Sequence, residues 1–378
     1  MNKLEIYKGV LSSKERVRRA FAFEKADRVP INYFSNAGIN ARLLEYFGLA
    51  KNDQAGLYNM LGVDFRPIGA GYNGPVLHKS SREDRAVNGM YGYVHRWIEH
   101  ESGGYWDYCD FPLEFATVEQ VADWAMPDPD NFNYESLEAQ IKANEGFALH
   151  LGGAGLACII NTAGFFRGME QVLVDLITDD EAGLLLIDKF IGQQLATLER
   201  ELAAIAKIAE KQNKKLNEVL DFVYMGEDLG TQHTPLISEQ ILKKHILPRQ
   251  KPFFDLCKYY NLPTLLHTCG SSSWAYDYYI DLGLSGVETL QPEATGMNPE
   301  YLKDKFGGRL AFHGCISTAG PLAYGTAEQT AANVKETLEI MMPTCAYMLS
   351  PTHQIQDNTP VANVISMYQT AHDFGRYN

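Results

Sequence analysis

Along the chain, short runs of apolar and β-branched residues alternate with longer stretches whose apolar positions recur every three or four residues. The short runs cover residues 29–34, 63–70, 147–152, 222–226, 264–267, 286–290, 310–314 and 346–350, and several end in glycine, polar or titratable residues. Each predicts a buried strand. Between most of them the spacing is helical, longest from about Asp179 to Lys211, where Leu185, Phe190, Leu195, Leu198, Leu202 and Ile205 form one apolar stripe. Upstream, Ser12 and Glu15 read as a capping box for a helix through Arg19 and Phe21, within a helical extension over residues 1–27. Strands alternating with helices pair in parallel, and eight such units predict a closed (β/α)₈ barrel of the α/β class over residues 1–378.

One segment breaks the alternation. Residues 90–111 carry alternating aromatics around Ser102 and Gly104, which predicts a hairpin excursion, either a cover packed on the barrel or a substrate lid. The run Asp128 to Asn131 predicts a turn, not a domain boundary.

Composition narrows what such a barrel does. With 378 residues, 46% of them hydrophobic, the chain can bury a large core. A net charge of −14 opposes attraction to phosphate backbones, so nucleic acid is excluded as a partner. The start of the chain lacks an apolar signal region, and no later run approaches the roughly 18 apolar residues of a membrane helix. A cytoplasmic location is expected. The six cysteines are scattered without a disulfide framework, which leaves thiols free as ligands or nucleophiles.

Catalytic groups of a barrel collect at the C-terminal ends of its strands. There the predicted runs expose Glu227 and Asp228, His267 and Cys269, Glu288, His313 and Cys315, and His353. An imidazole and a thiolate two residues apart can converge on one cation, and a carboxylate plus a fourth ligand would complete a tetrahedron suited to zinc. Glu288 and His353 are placed to do so, with Cys315 competing. The plainer alternative is a histidine bonded to a backbone carbonyl beside a small buried cysteine. Glu227 and Asp228 read equally as a helix cap with a solvated neighbour or as a group that orients substrate and moves protons. Cys109, Cys158 and Cys257 read as structural, Cys345 as a small residue at the opposite rim, and His150 as outside any constellation.

The segments Asp27-Arg-Val-Pro30, Gly226-Glu-Asp-Leu-Gly-Thr-Gln232, Leu266-His-Thr-Cys-Gly270, His313-Gly-Cys-Ile-Ser317 and 351–360 together resemble the uroporphyrinogen decarboxylase superfamily. The resemblance implies a TIM barrel and one of two branches: decarboxylases that need no cofactor, or corrinoid-linked methyltransferases that bind zinc. Decarboxylases carry an arginine-rich segment where this chain has 35–40, with Asn36 and no arginine. Without bidentate grips for a substrate of many carboxylates, the methyltransferase branch fits better. Carried over from the His-x-Cys, Glu and Cys ligands of that branch and of its distant relative, cobalamin-independent methionine synthase, the zinc ligands fall on His267, Cys269 and Glu288. The last cysteine is replaced by His353. The implied reaction moves a methyl group between a methylcobamide on a separate corrinoid protein and a thiol or tetrahydrofolate. Glu227, Asp228 and His353 are the catalytic candidates, with substrate contacts expected from Asn36, Asn161, Tyr224 and Gln232. The superfamily also implies a homodimer. Two alternatives stay open: a decarboxylase using His353, Tyr224 and Asp228, and a non-catalytic barrel that binds a corrinoid or tetrapyrrole.

Overall fold

The structure, a computed structural model, describes residues 4–80, 82–101 and 103–377. Its ten strands are β1 (Phe65–Pro67), β2 (Ala86–Val87), β3 (Val94–His100), β4 (Gly103–Tyr108), β5 (Ala148–Gly152), β6 (Phe222–Gly226), β7 (Thr264–Thr268), β8 (Gly286–Thr289), β9 (Ala311–Ile316) and β10 (Tyr347–Pro351). Seven of them form one parallel sheet in the order β1-β5-β6-β7-β8-β9-β10. The gap between β10 and β1 is filled by the segment around Ile31: Asn32 donates to the Leu349 carbonyl (2.9 Å), Leu349 to Pro30 (2.8 Å), and Asp64 to Ile31 (2.9 Å). That segment is the eighth stave, so the sheet has no free edge. All eight predicted runs therefore stand in the barrel, with ends shifted by a few residues at most.

The helices follow from local sequence. Ser12 and Glu15 make the expected capping box at the start of Ser13–Phe21. The helix Glu181–Lys211 is capped by Asp180 and buries Ile187, Leu198, Leu202 and Ile205 against the barrel. Among the described residues, no helix is long and apolar enough to cross a membrane.

Strands β2, β3 and β4 form a separate antiparallel sheet, as the alternating aromatics predicted. The predicted tip residue Ser102 lies outside the described residues. Tyr108 at the base stacks on Phe165 with ring centroids 3.6 Å apart, over a small cluster that includes Leu113, Phe166 and Phe190. At the far end, a Cβ on Gly103 would stand 2.7 Å from an Asp357 carboxylate oxygen, so the hairpin reaches the loop that follows β10. Its base thus packs on the barrel, and its far end meets the loop that also carries His353 and Gln354.

Strand register sets what faces the interior. His267 lies opposite Glu288, and Glu288 opposite His313, on β7, β8 and β9. Since side chains alternate faces along a strand, one row of inward positions holds all three titratable groups. Beneath that row, Phe65 and Phe222 pack 6.0 Å apart, with Phe21 of the first helix against Phe222 at 5.4 Å, and they fill the barrel's lower half.

Candidate active site

At the C-terminal ends of the strands a cavity of ≈ 360 Å³ opens, lined among others by Asn32, His150, Tyr224, His267, Glu288 and His353. His267 stands at one end of it. The Nδ1 side of the ring meets the Glu288 carboxylate in a very short contact, and the Thr289 hydroxyl lies 3.0 Å from the same nitrogen. Tyr224 donates its hydroxyl to Glu288 at 2.7 Å. On the other side, Nε2 lies 3.5 Å from the Cys269 sulfur and 3.7 Å from an Asp228 carboxylate oxygen.

Asp228 is itself fixed at both oxygens. The Cys269 amide donates to one (2.8 Å) and the Asn161 carboxamide to the other (2.7 Å). Nitrogen, sulfur and oxygen ligand atoms from His267, Cys269 and Asp228 all lie within 4.8 Å of one another, the one such group among the described residues. Zinc bonds of about 2.0–2.3 Å set tetrahedral edges of roughly 3.3–3.8 Å. The two measured separations from Nε2 match those edges, so this donor set fits the metal that the sequence implied.

Electrostatics follow from burial and pairing. Burial alone would depress the His267 imidazole, but the Glu288 carboxylate and the hydrogen bonds to Cys269 and Glu288 lift it well above the ordinary histidine value. Burial would likewise raise Glu288, and His267, His313 and Tyr224 bring it below the usual range instead. For Cys269, burial raises the thiol and the neighbouring imidazole opposes it. Deeper in, burial first and mutual repulsion second hold His150 at about 4. Burial also brings His313 to about 4. Both are neutral at pH 7.

Several sequence expectations change here. Glu288 does not join Cys269 around a common point; it stands on the Nδ1 side of the ring, because the residue directly opposite on the next strand meets that edge. Asp228, at the end of the preceding strand, takes the place expected of it. Glu227 is not in the cavity. Fully buried, it turns behind the site to accept the amides of Ile159 (2.8 Å) and Ile160 (3.0 Å), with the Cys158 thiol 3.8 Å away. Burial pushes it up to about 8, against the pull of those amides. Cys315 is sealed in the core, where burial raises its thiol far up, and it belongs to no ligand group.

His353 occupies the exposed rim of the cavity, outside the three-residue group. Its ring is partly shielded by the cavity wall, and that shielding first and the nearby His267 second lower its basicity. Tyr224 lines the cavity as expected, and Asn161 acts through Asp228. Asn36 instead pairs with Gln356 at 3.2 Å, and Gln232 with Gln291 at 3.3 Å, both away from the lining. The sequence reading missed His150 and Asn32. His150 lies two residues before the end of its strand, an inward position by alternation. Asn32 holds His313 across the cavity floor at 3.1 Å.

The ends of β8 and β9 are bent. Thr289 (φ 90°) and Leu290 (φ 51°) adopt left-handed backbone, as does Cys315 (φ 68°). For a β-branched residue such as Thr289 this conformation is costly, and such strain gathers at functional sites. Here it delivers the Thr289 hydroxyl to within 3.0 Å of both Glu288 and His267.

Residues 197–374 match the family model for uroporphyrinogen decarboxylase (URO-D). The matched stretch contains Asp228, His267, Cys269, Glu288 and His353. No protein among the curated ones matches. Among solved structures, the chain is similar to a methyltransferase from Methanosarcina mazei, with TM-score 0.57 and 18% identity over 97% of this chain and 99% of that one. A D-psicose 3-epimerase solved with D-fructose aligns over 68% of this chain and 84% of that one, at TM-score 0.31 and 12% identity.

Proposed function

We propose that this chain, whose second half resembles the uroporphyrinogen decarboxylase family, is a cytoplasmic methyltransferase. It would move a methyl group between a corrinoid carried on a partner protein and a small acceptor, a thiol or tetrahydrofolate, with zinc at Asp228, His267 and Cys269. The observation that carries the reading is the convergence of those three ligand atoms at the end of a cavity, at separations a tetrahedral ion fits. The likeness of fold to a methyltransferase supports the reaction class.

Zinc at this position would supply a Lewis acid that makes a bound thiol more acidic. The chain's own residues do the rest. Glu288, steadied by Tyr224 and Thr289, occupies Nδ1 of His267 and so turns Nε2 toward Cys269. Asn161 and the Cys269 amide hold the Asp228 carboxylate in place. His353, neutral at the rim, can accept a proton from an incoming acceptor at its imidazole. At ≈ 360 Å³ the cavity lies at the small end of ligand pockets, about 300–1,000 Å³. It has room for the acceptor, while the corrinoid would approach from the mouth.

Metal analysis of protein purified without chelator tests the reading, with about one equivalent of zinc expected and lost in Cys269→Ser. Mixed with methylcobalamin and a thiol, the protein should change the corrinoid spectrum. No metal even after zinc supplementation, together with no spectral change for any thiol or for tetrahydrofolate, would sink it.

A further inference from the structure

Away from its His267 end the cavity combines aromatic rings with a few uncharged polar groups. Tyr33, Phe34, Tyr58 and Phe65 supply aromatic wall, and no lysine or arginine is among its described lining residues. Arg66, between the lining residues Phe65 and Pro67, and Arg42 are committed elsewhere. Arg66 lies over the ring of Phe147 at 3.8 Å and over Tyr58 at 4.8 Å, and donates to the carbonyls of Val63 and Phe65 and to Asn59. Arg42 is bonded to the carbonyls of Asp357 and Thr359.

Gln354 and the His150 ring, whose Nδ1 has no partner among the described residues, offer neutral hydrogen bonds but no charge, and neighbouring backbone and hydroxyl donors are already used. The Gly153 amide, at the end of β5, is used by the Tyr224 carbonyl at 2.8 Å. The Tyr33 hydroxyl donates to Asn40 at 3.1 Å, away from the cavity. His150 is uncharged at neutral pH. Two carboxylates, Glu288 and Asp228, stand at the reacting end. An anionic group entering here would lose its hydration and find no unpaired positive charge, since the His267 imidazole is already matched by Glu288 on one side and faced by Asp228 on the other.

We propose that the molecule this cavity takes is small, largely apolar and free of anionic groups. Of the two proposed acceptors this selects an uncharged thiol, because tetrahydrofolate carries two carboxylates on its glutamate; the corrinoid stays outside, at the mouth. The inference rests on the methyltransferase reading only for which end of the ligand reacts, since the charge selection comes from the walls.

An isosteric pair tests it: 4-(methylthio)benzamide and 4-(methylthio)benzoate, titrated calorimetrically into the full chain as purified and again after chelation. The amide should bind at least about tenfold more tightly than the anion in both preparations, the unpaired buried charge being the cost. Gln354→Arg, at the exposed rim, should raise the affinity for the benzoate by about tenfold, more than any change for the benzamide. Charge selection without methyl transfer would leave this inference standing while removing the proposed reaction. Equal binding of the two wild-type ligands, or tighter binding of the benzoate after chelation, would overturn it.

Discussion

His267 has a carboxylate on one ring nitrogen and a thiol on the other, and the division of labour between them decides what each neighbour does. A carboxylate at Nδ1 fixes the ring and its tautomer, which raises the basicity of Nε2 as a ligand. Glu288→Gln should therefore bind zinc about 10–100-fold more weakly while the protein stays folded, measured by competition with a chromogenic chelator. Retained affinity would return Glu288 to the role of bystander. Glu227 makes a different prediction. The folded protein keeps its proton up to about pH 8, whereas an ordinary glutamate loses it near 4.5. Between those values the native state binds more protons than the unfolded one, so this group makes stability fall as pH rises, at a slope approaching about 1.4 kcal/mol per pH unit. Glu227→Gln gives up one acceptor for the Ile159 and Ile160 amides and starts less stable, but its denaturation midpoint should change less between pH 5 and 8 than that of the parent, with chemical denaturation at several pH values as the measurement.

The strand ends show what a sequence can and cannot announce. His267 and Cys269 were legible because two residues at the end of one strand share a side of the sheet, a matter of local periodicity. Which carboxylate joins them was not. That depends on register between β7 and β8, which puts Glu288 directly across from His267, and on the turn after β6, which sends Glu227 behind the barrel and Asp228 into it. Register is a non-local property, and a one-residue difference exchanges the two faces. Nor did the sequence disclose the left-handed backbone at Thr289, since nothing in Glu-Thr-Leu marks it. That bend depends on a close approach: a Cβ on Gly314, itself at φ 127°, would stand 2.3 Å from the Thr289 carbonyl oxygen. Gly314→Ala should thus push the end of β8 outward, lower stability by about 1–3 kcal/mol in urea denaturation, and reduce zinc content along with it. An alanine variant with unaltered stability and metal would mean that the bend does not hold the site.

At the scale of the molecule, the two ends of the barrel are built from opposite materials. The C-terminal mouth holds the cavity and the strained strand ends, whereas the N-terminal rim is stitched by buried ion pairs. The helix Ser13–Phe21 lies across that rim, with Lys14 (2.6 Å) and Arg18 (2.7 Å) on Asp221, and Arg16 on Asp27 (2.6 Å) and Asp64 (3.2 Å). Arg28 grips both oxygens of Asp64, at 2.6 and 3.0 Å, and the Ile31 amide donates to the same carboxylate at 2.8 Å. Asp64 therefore ties the first helix, the eighth stave and β1 at the seam where the barrel closes. The Asp27-Arg-Val-Pro30 segment that carried part of the family resemblance thus has a structural role here: its polar residues serve stability at this rim. Removing one partner of a buried charge cluster strands the others without hydration, so Asp64→Asn should cost about 3–5 kcal/mol of unfolding free energy. Because the lesion lies at the opposite end from His267, the fraction that remains folded should keep its zinc stoichiometry and its preference for uncharged ligands. Zinc loss at temperatures where circular dichroism still reports a native barrel would show that the seam and the mouth are coupled through the staves, and the division between a stitched base and a reactive mouth would fail.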